Sequence, residues 1–430
     1  MCAATFVVLL YSVRKLDFYY DEWDFVDRAE HWRFSDYFVP HQEHWSTVPM
    51  VVYRLLLGLN GMHSYLPFSA TLLLLHSANA FLLFLLVRRR CGDALGIGAA
   101  AILLVLGRGS DDFIWAFQIG FSCSVFFGLT ALLLLDEPRA NWSSASASAA
   151  LVLSLASSGE GLFFVAAAAV LLLLRSPGFR TLAATLAPPI AAYAIWYPLY
   201  GAKHADIARS PLSLHAAAGL LTFVPTGLGA GVAGLVGLDW HQAWIGFALF
   251  VAVFAYVCRR GRDAALAIAL GVGVIAQFSA TGLVRAQFGT ALAGASRYVY
   301  IAAVFTLPIL AEALRNVSWR PRRVELVAVA AAVSCFCGAL TLNNAIDHRN
   351  RTFERQKAML QTVWFHRADP RLNPDAVIDP EDAPTLTVRL YLRTRAELGS
   401  PLPEIDAKAL GALDTRAVAR AQKNVLLPQH

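Results

Sequence analysis

Carboxylates and histidines are concentrated in one polar stretch near the start of the chain, residues 14–49, RKLDFYYDEWDFVDRAEHWRFSDYFVPHQEHWSTVP. Its acids are Asp17, Asp21, Glu22, Asp24, Asp27, Glu30, Asp36 and Glu43, with His31, His41 and His44 between them. Adjacent carboxylates such as Asp21 and Glu22 repel each other. A fold therefore keeps them together mainly to take a proton, to hold a cation or to face water.

Aromatic side chains surround the acidic pair, at Phe18, Tyr19, Tyr20, Trp23 and Phe25. A mixture of acids and aromatics favours a loop that packs around a pocket at a membrane interface over a loop that is freely solvated. A simple belt of interfacial aromatic residues is the plainer alternative.

The segment HQEHW, which contains His41, Glu43 and His44, superficially resembles a zinc-peptidase motif. Neither HExxH nor HxxEH occurs in the chain, so the spacing does not predict a metalloprotease. If the segment is helical, His41 and His44 share one face at i and i+3 and could contact a cation or a phosphate. Structural hydrogen bonding is the alternative for both histidines.

Two arginines flank the outer ends of predicted membrane spans, Arg285 and Arg297, the latter followed by Tyr298 in ASRYVY. An arginine at such a boundary either extends to lipid headgroups or binds an anion, and a guanidinium can bind a phosphate through two hydrogen bonds. Phosphate binding is favoured more for Arg297 than for Arg285. Three acids on short outer turns could line the same site or be ordinary turn residues: Asp111, Asp112 and Glu160.

Composition defines the elements that must position these side chains. Hydrophobic residues make up 57% of the 430 residues and charged residues 15%, and the mean hydropathy is +0.52. Apolar runs of about 17 to 25 residues recur between residues 67 and 346, long enough to cross a bilayer. Only helices satisfy the backbone of an open chain in lipid, so we predict an all-α integral membrane bundle of about eleven transmembrane helices.

The basic residues explain the net charge of +6 without a nucleic acid partner. They lie mainly in short clusters between apolar runs, the distribution that orients a membrane protein. The six cysteines lack the spacing of a zinc site or a disulfide framework.

Charge bias predicts the arrangement of the chain across the membrane. We expect a polytopic domain over residues 1–346, with the N-terminus inside and the acidic loop 14–49 outside, and a small extracytoplasmic region over 347–430. The Gly- and Pro-rich segment 216–238 is predicted to be re-entrant or interfacial, which keeps the following arginine cluster inside. The first apolar stretch, residues 2–13, reads as the remainder of a longer spanning helix. In the tail we predict a helix continuing from the last span and a strand over 386–392.

Together, topology and motifs resemble those of the polytopic glycosyltransferases of the GT-C fold, which use sugars linked to polyprenyl phosphate. The similar features are the acidic pair in YYDEWDF, HQEHW before the second span, FQIGF at the start of a later span, SRYVY and the small outer tail. The chain looks most similar to uncharacterised actinobacterial-type members of that group.

This resemblance implies an inverting hexosyl or pentosyl transfer on the outer side of the membrane. Asp21 is then the first candidate for the base that takes the acceptor proton and Glu22 the second, while Arg297 or Arg285 stabilises the leaving lipid phosphate. The remaining candidates for substrate binding are His41, Glu43, His44 and Tyr298. No metal ligands are assigned, although some relatives use a divalent cation at the acidic loop. The implied partners are the lipid bilayer, a polyprenyl-phosphate sugar donor and a cell-envelope glycan, lipid or protein acceptor.

Two other classes of function stay open at the level of sequence. A transporter or flippase of lipid-linked or small anionic substrates would need paired charges within the membrane or inverted repeats. The polar residues that stand out inside predicted spans are His76, Gln118 and Gln277, and no inverted halves are evident. The other class is a non-catalytic scaffold whose outer face binds a partner.

Overall fold

The computed structural model describes residues 1–30, 33–136, 143–203, 214–317 and 321–427. Its α-helices up to residue 175 are α1 (Cys2–Val13), α2 (Glu22–Glu30), α3 (Thr47–Asn60), α4 (Leu66–Cys91), α5 (Asp93–Leu104), α6 (Asp111–Ile114), α7 (Ile119–Asp136), α8 (Ser143–Leu155) and α9 (Gly161–Arg175). The later ones are α10 (Phe179–Trp196), α11 (Leu214–Ala233), α12 (Ala243–Cys258), α13 (Ala265–Arg285), α14 (Ser296–Leu314), α15 (Pro321–Phe365), α16 (Val388–Leu398), α17 (Ala407–Gly411) and α18 (Thr415–Val425).

Short helical turns and one pair of strands complete the secondary structure. The 3-10 turns are Phe34–Phe38, Gly107–Gly109, Ala116–Gln118, Gly234–Val236, Trp240–Gln242, Gly261–Ala264, Ala286–Phe288 and Thr290–Gly294, and Tyr197–Gly201 is a π-helical turn. The strands are β1 (Val377–Asp379) and β2 (Ala383–Thr387), which pair antiparallel.

Eight helices within the described ranges are long and apolar enough to cross a membrane. They are Leu66–Cys91, Ala116–Asp136, Phe179–Gly201, Ala218–Val236, Trp240–Cys258, Gly261–Phe288, Ser296–Leu314 and Pro321–Phe365. Five shorter apolar helices accompany them, α1, α3, α5, α8 and α9. The predicted all-α, multi-pass architecture is confirmed, while the total of about eleven crossings stays a prediction.

The Gly- and Pro-rich segment 216–238 is helical up to Val236, in α11 and the 3-10 turn that follows it. Its core, Ala218–Val236, has the length and composition of a spanning helix. Length and composition show that this helix is able to cross a bilayer, but they do not show how it is placed in one. The re-entrant or interfacial arrangement therefore stays a prediction.

The chain divides into two compact units, and each is discontinuous in sequence. Unit 1 comprises Met1–Val7, Phe38–Val48 and Leu72–Asn344, and unit 2 comprises Val8–Tyr37, Pro49–Thr71 and Ala345–His430. The division at residues 346 and 347 that composition suggested stays a prediction.

Glycines allow the backbones of α11 and α12 in unit 1 to touch. A Cβ on Gly229 would lie 1.9 Å from the carbonyl oxygen of Ala243, and a Cβ on Gly246 would lie 2.0 Å from the carbonyl oxygen of Gly229. No side chain fits at either distance. Close approach of this kind is the usual way in which helices associate in lipid, where no hydrophobic driving force brings them together.

Arginines at helix ends in unit 1 pair with two buried acids. The Oδ1 atom of Asp136, at the end of α7, accepts from Arg90 at 2.6 Å and from Arg175 at 2.5 Å. Glu312, near the end of α14, lies 3.1 Å from Arg260. Each carboxylate is buried, and pairing with an arginine offsets the cost of placing an acid near an apolar core.

In unit 2, part of the acidic stretch 14–49 is helical. It contains α2 and the 3-10 turn Phe34–Phe38, and α3 begins at Thr47. The chain leaves α1 at Val13 and reaches α2 through Tyr20, whose φ of 52° is left-handed. A non-glycine residue in this conformation is uncommon and marks a sharp turn that the surroundings must hold.

The C-terminal part of unit 2 contains one confirmed and one wrong prediction. α15 does continue through the tail to Phe365. The strand predicted over 386–392 is wrong, because β2 ends at Thr387 and the Oγ1 of this residue accepts a hydrogen bond from the N–H of Leu390 at 3.2 Å, which caps α16. Apolar residues alternate in LTVRLYL, but the buried ones in α16, which include Val388 and Tyr391, follow a helical period.

The packing of α11 against α12 yields a test of the fold. Gly229→Ala places a methyl group against a backbone oxygen, so we expect it to lower the free energy of unfolding by about 1–3 kcal/mol. A matched control is Gly98→Ala in α5, where nothing lies within 4 Å of a new Cβ. This control is expected to stabilise the helix by up to about 1 kcal/mol. Thermal unfolding in detergent measures both, and equal effects would contradict the proposed close contact.

Candidate active site

Glu22 is fully buried in unit 2 at the start of α2, where its carboxylate accepts several hydrogen bonds. The hydroxyls of Tyr53 and Tyr65 donate to Oε1 at 2.7 and 2.9 Å, and the N–H of Tyr19 donates to Oε2 at 2.9 Å. A buried carboxylate is tolerated when its oxygens are satisfied in this way. The geometry therefore suits an anchor that joins α2, α3 and the turn before α4, and the role of Glu22 as second candidate base stays a prediction.

Asp21 occupies a different environment from its neighbour. It is half-buried, and its carbonyl oxygen accepts from the N–H of Asp24 at 3.2 Å in the turn that starts α2. The left-handed Tyr20 lies immediately before it. The two adjacent carboxylates therefore lie in different environments, Glu22 inside the aromatic core and Asp21 partly exposed.

Aromatic rings enclose the anchor rather than forming a belt around it. The ring of Phe18 packs edge-on against Tyr65 and Phe68, with centroids 5.1 and 5.0 Å apart, and Phe25 lies 5.1 Å from Tyr53. Phe18, Phe25 and Phe68 are fully buried or nearly so. Of the aromatic residues around the acidic pair, Phe18, Trp23 and Phe25 belong to the core of unit 2, whereas Tyr19 and Tyr20 are half-buried; the pocket at a membrane interface stays a prediction.

Polar contacts tie this acidic segment to the C-terminal part of the same unit. The hydroxyl of Tyr19 donates to Oδ1 of Asp382 at 3.1 Å, and Arg355 forms an ion pair with the same carboxylate. Arg393 pairs with Asp27 of α2. These contacts join segments more than 300 residues apart, so the surroundings of Asp21 depend on the C-terminal region.

Asp17 is a further acid in unit 2 that the sequence does not distinguish from its neighbours. It is 5% exposed, and its Oδ1 accepts from the N–H of Phe18 at 2.8 Å. Burial raises its pKa to about 7, although Lys357 and Arg395 oppose the rise. It thus titrates near neutral pH, but it faces the core rather than solvent.

In unit 1, the HQEHW segment forms a tight turn, so the helical arrangement considered for it is wrong. His41 and His44 exchange both backbone hydrogen bonds, at 3.1 and 3.0 Å, and Gln42 between them has a left-handed φ of 52°. The ring of His41 packs edge-on against Phe117, with centroids 5.1 Å apart. The two side chains are therefore placed by a turn and not by helical spacing, and His31 of the same stretch lies outside the described residues.

His44 is held as a neutral imidazole with one defined tautomer. Its Nδ1 accepts a hydrogen bond from the N–H of Gly159 at 3.1 Å, so the remaining proton is on Nε2. Burial lowers its pKa to about 4, although the negative charge of Glu43 opposes this. A Cβ on Gly159 would lie 2.8 Å from this nitrogen, so the close approach requires glycine.

Glu43 and Arg285, two of the predicted substrate-binding residues, form an ion pair of 2.5 Å. Burial raises the pKa of Glu43, but the charges of His44 and Arg285 and the Arg285 hydrogen bond outweigh this and lower it below its ordinary value. Because His44 is neutral at pH 7, Arg285 supplies this effect in the neutral range. The structure thus brings Glu43, His44 and Arg285 together, and Arg285 is already partly neutralised.

Arg297 and Tyr298 begin α14, and the guanidinium of Arg297 lies 5.1 Å from the centre of the Tyr298 ring. The Oγ of Ser296 accepts from the N–H of Asp111 at 3.0 Å, which fixes the turn at 111–112 to this helix end. Tyr298 itself is 5% exposed, and its carbonyl oxygen accepts from Gln277 at 3.1 Å. Arg297 is half-buried, so its guanidinium is both fixed by packing and open to an anion.

Two buried acids lie near Arg297, Asp112 and Glu160, which the sequence left open as either residues of the same site or ordinary turn residues. Within the described part of the chain, both carboxylate oxygens of Asp112 and Oε2 of Glu160 have no hydrogen-bond partner. Burial raises the pKa of Asp112 well above its usual value, the charges of Asp111 and Glu160 add to the rise, and Arg297 opposes it. The pKa of Glu160 is raised by burial to about 8, again against Arg297.

Arg297 is thus a cation that acts on two buried acids, Asp112 and Glu160. Asp112 and Glu160 are 0% and 3% exposed, and burial raises the pKa of each carboxyl, that of Glu160 to about 8. A neutral Glu160 does not compensate the positive charge of Arg297, whose other acidic neighbours are Asp111 and Asp112. The signal in the sequence was the presence of acids in short turns between apolar helices, which does not by itself reveal burial.

Glu160 provides a test through the pH dependence of stability. Its pKa rises from about 4.5 in the unfolded chain to about 8 in the fold, so unfolding releases a proton between these values and stability falls as the pH rises through them. Glu160→Gln cannot titrate. We therefore expect the variant to gain stability relative to wild type from about pH 4.5 to about pH 8, by a few kcal/mol.

Thermal unfolding of both proteins in detergent across this pH range measures the difference. The control variant, Glu397→Gln, removes an exposed carboxylate on α16 and is expected to leave the pH dependence of wild type unchanged. A constant difference between Glu160→Gln and wild type at all pH values would contradict the buried, protonated state of Glu160.

No protein-family model and no curated protein matches the chain. Two solved structures resemble it, the crystal structure of ArnT from Cupriavidus metallidurans bound to undecaprenyl phosphate and that of the same protein in the apo state. Sequence identity is 15% and 16%, the TM-score is 0.55 for both, and the matches cover 97% of this chain and 88% of the ArnT chain. ArnT is a GT-C glycosyltransferase. The chain therefore has the GT-C fold that its sequence predicted.

Proposed function

We propose that the chain is a membrane glycosyltransferase that moves a sugar from a polyprenyl-phosphate donor to an extracytoplasmic acceptor. The observation that carries the proposal is the similarity, over 97% of the chain, to a GT-C glycosyltransferase crystallised with undecaprenyl phosphate. A shared fold does not define a function by itself. The residues of the two units supply the chemical argument.

The reaction requires a base for the acceptor, and Asp21 is the best candidate. The acceptor oxygen forms a bond to the anomeric carbon and loses its proton to the carboxylate of Asp21, with inversion at that carbon. Asp21 is half-buried, whereas all hydrogen bonds described for the Glu22 carboxylate come from its own core. Glu22 then acts as a positioning residue that fixes the start of α2.

The reaction also requires a cation for the leaving group, and Arg297 suits this role best. The bond between the anomeric carbon and the phosphate oxygen breaks, and the electron pair stays on that oxygen, where a guanidinium stabilises the charge. Arg285 is a weaker candidate because it already pairs with Glu43 at 2.5 Å. The raised pKa of Glu160 supports the assignment, since a protonated Glu160 does not compete with a phosphate for the charge of Arg297.

The remaining predicted substrate-binding residues belong to the wall around this cation. His44 presents an Nε2–H group as a donor, and it lies 3.8 Å from Oε1 of Glu43. His41 and Tyr298 contribute mainly packed rings. We propose that this side of unit 1 binds the donor phosphate, that the site faces the extracytoplasmic side, and that the acceptor is a cell-envelope glycan, lipid or protein.

Transport of a lipid-linked or small anionic substrate is the alternative, and the ion pairs do not favour it. Within the described residues, the buried acids of the candidate spans that pair with arginines are Asp136 and Glu312, and both lie at or near helix ends. A charge that moves with a substrate is instead expected within the span.

Sugar transfer in proteoliposomes from polyprenyl-phosphate donors tests the proposal. We expect Asp21→Asn to lower kcat by about 100-fold or more, because the general base is lost. Arg297→Gln is expected to lower kcat and kcat/KM, with partial recovery in Arg297→Lys, which restores the charge but not the two-point geometry. Glu22→Gln is expected to reduce thermal stability as well as activity.

The matched control is Asp375→Asn, which removes an exposed carboxylate of unit 2 and is expected to leave transfer unchanged. Asp21→Asn must unfold at the wild-type temperature for its loss of activity to count. Full activity of Asp21→Asn, or no transfer by wild type from any polyprenyl-phosphate donor, would overturn the proposal.

A further inference from the structure

A basic cavity of about 420 Å³ lies within unit 2. Neither Asp21 nor Glu22 lines it. Its wall is formed by Lys15 after α1, by Asp414 before α18, and by four residues of α15, namely Asn350, Arg351, Glu354 and Arg355. The volume falls in the range of cavities that hold small organic ligands. Apart from Arg355, whose ion pair with Asp382 is described above, none of these side chains has a role in the proposed transfer.

Both acids of this cavity have partners, whereas two of its three cations form no ion pair among the described residues. Glu354 pairs with Lys357 at 3.6 Å, and Oδ1 of Asp414 accepts from the N–H groups of Arg416 and Ala417 at the start of α18. Among the described residues, Lys15 and Arg351 form no ion pair.

Arg355 adds a third cation, which is already paired with Asp382. Within the described part of the chain, Nε of Arg355 and Oδ1 of Asn350 have no hydrogen-bond partner. The cavity therefore has an excess of positive charge and hydrogen-bonding capacity in its wall, which suits an anion with several oxygen atoms.

The helices that precede or supply these cations also expose apolar side chains. α1 is apolar, and its Val8 and Tyr11 are 63% and 65% exposed, a few residues before Lys15. The apolar window of α15 is only 11% buried, and its apolar sequence ends at Ile346, four residues before Asn350. Cations that follow directly on lipid-exposed helices lie at the level of headgroups.

From these observations we infer that the cavity binds the phosphate headgroup of an anionic lipid, with Lys15 and Arg351 as its main contacts. The inference goes beyond the proposed transfer reaction and does not depend on it. A free phosphate has the same chemistry but no reason to prefer a cavity flanked by exposed apolar helices. Lipid phosphate is therefore the occupant that the surroundings favour.

Binding of fluorescent phosphatidic acid to the full chain in neutral-detergent micelles tests this inference. Each cation near a lipid surface changes affinity by about fivefold, so Lys15→Gln combined with Arg351→Gln is expected to raise Kd by about 25-fold. Lys408→Gln combined with Lys423→Gln removes two exposed charges elsewhere in unit 2 and is expected to leave Kd unchanged. Thermal unfolding confirms that both proteins are folded.

A variant that is expected to bind the probe more tightly distinguishes a specific effect from misfolding, because misfolding would only weaken binding. Glu354→Gln removes an acid from the wall and is expected to lower Kd by about two- to fivefold. Unlabelled phosphatidic acid should displace the probe, whereas diacylglycerol, which lacks the phosphate, and inorganic phosphate at millimolar concentration should not. Displacement by inorganic phosphate would overturn the lipid assignment in favour of a free anion, and equal losses in both double variants would overturn the site.

Because the assay uses no sugar donor, its result is separate from that of the transfer assay. Arg297→Gln is expected to bind the probe like wild type while losing transfer activity. A protein that binds phosphatidic acid through this cavity but transfers no sugar would refute the proposed function alone.

Discussion

The burial of one carboxylate, that of Glu22, is the constraint on which unit 2 depends. Removing an ionised carboxylate from water costs several kcal/mol unless hydrogen bonds replace the lost solvation. Two tyrosine hydroxyls and the N–H of Tyr19 provide these bonds. Tyr53 comes from α3 and Tyr65 from the turn before α4, so satisfying this group requires three segments to assemble together.

That constraint also determines what Asp21 can do. A left-handed turn at Tyr20 precedes the two acids, and they lie in different environments. Two adjacent carboxylates of the same chemistry thus differ in exposure, Glu22 being fully buried and Asp21 half-buried. The contacts of Tyr19 and Asp27 with the C-terminal region extend the same dependence to the last 80 or so residues of the chain.

Buried acids in unit 1 occur in two kinds of environment. At the helix ends that carry arginine clusters, Asp136 and Glu312 lie in direct contact with arginines. Around Arg297, in contrast, burial outweighs the attraction of the guanidinium and keeps Glu160 largely protonated. The difference arises because direct hydrogen-bonded pairing stabilises the charged form, whereas a cation at longer range does not offset desolvation.

The sequence by itself determined the membrane class, the helical fold and the positions of most apolar helices, because length and hydropathy act locally along the chain. It also identified Asp21, Glu22 and Arg297 as residues worth attention, through their charge in an apolar context. The strand at 386–392 and the helical reading of HQEHW failed where a cap at Thr387 and a turn at Gln42 decided the local structure. Only the tertiary structure distinguished Asp21 from Glu22, paired Arg285 with Glu43 and buried Glu160. These outcomes depend on which distant groups approach each carboxylate, and burial of that kind leaves no local pattern in a sequence.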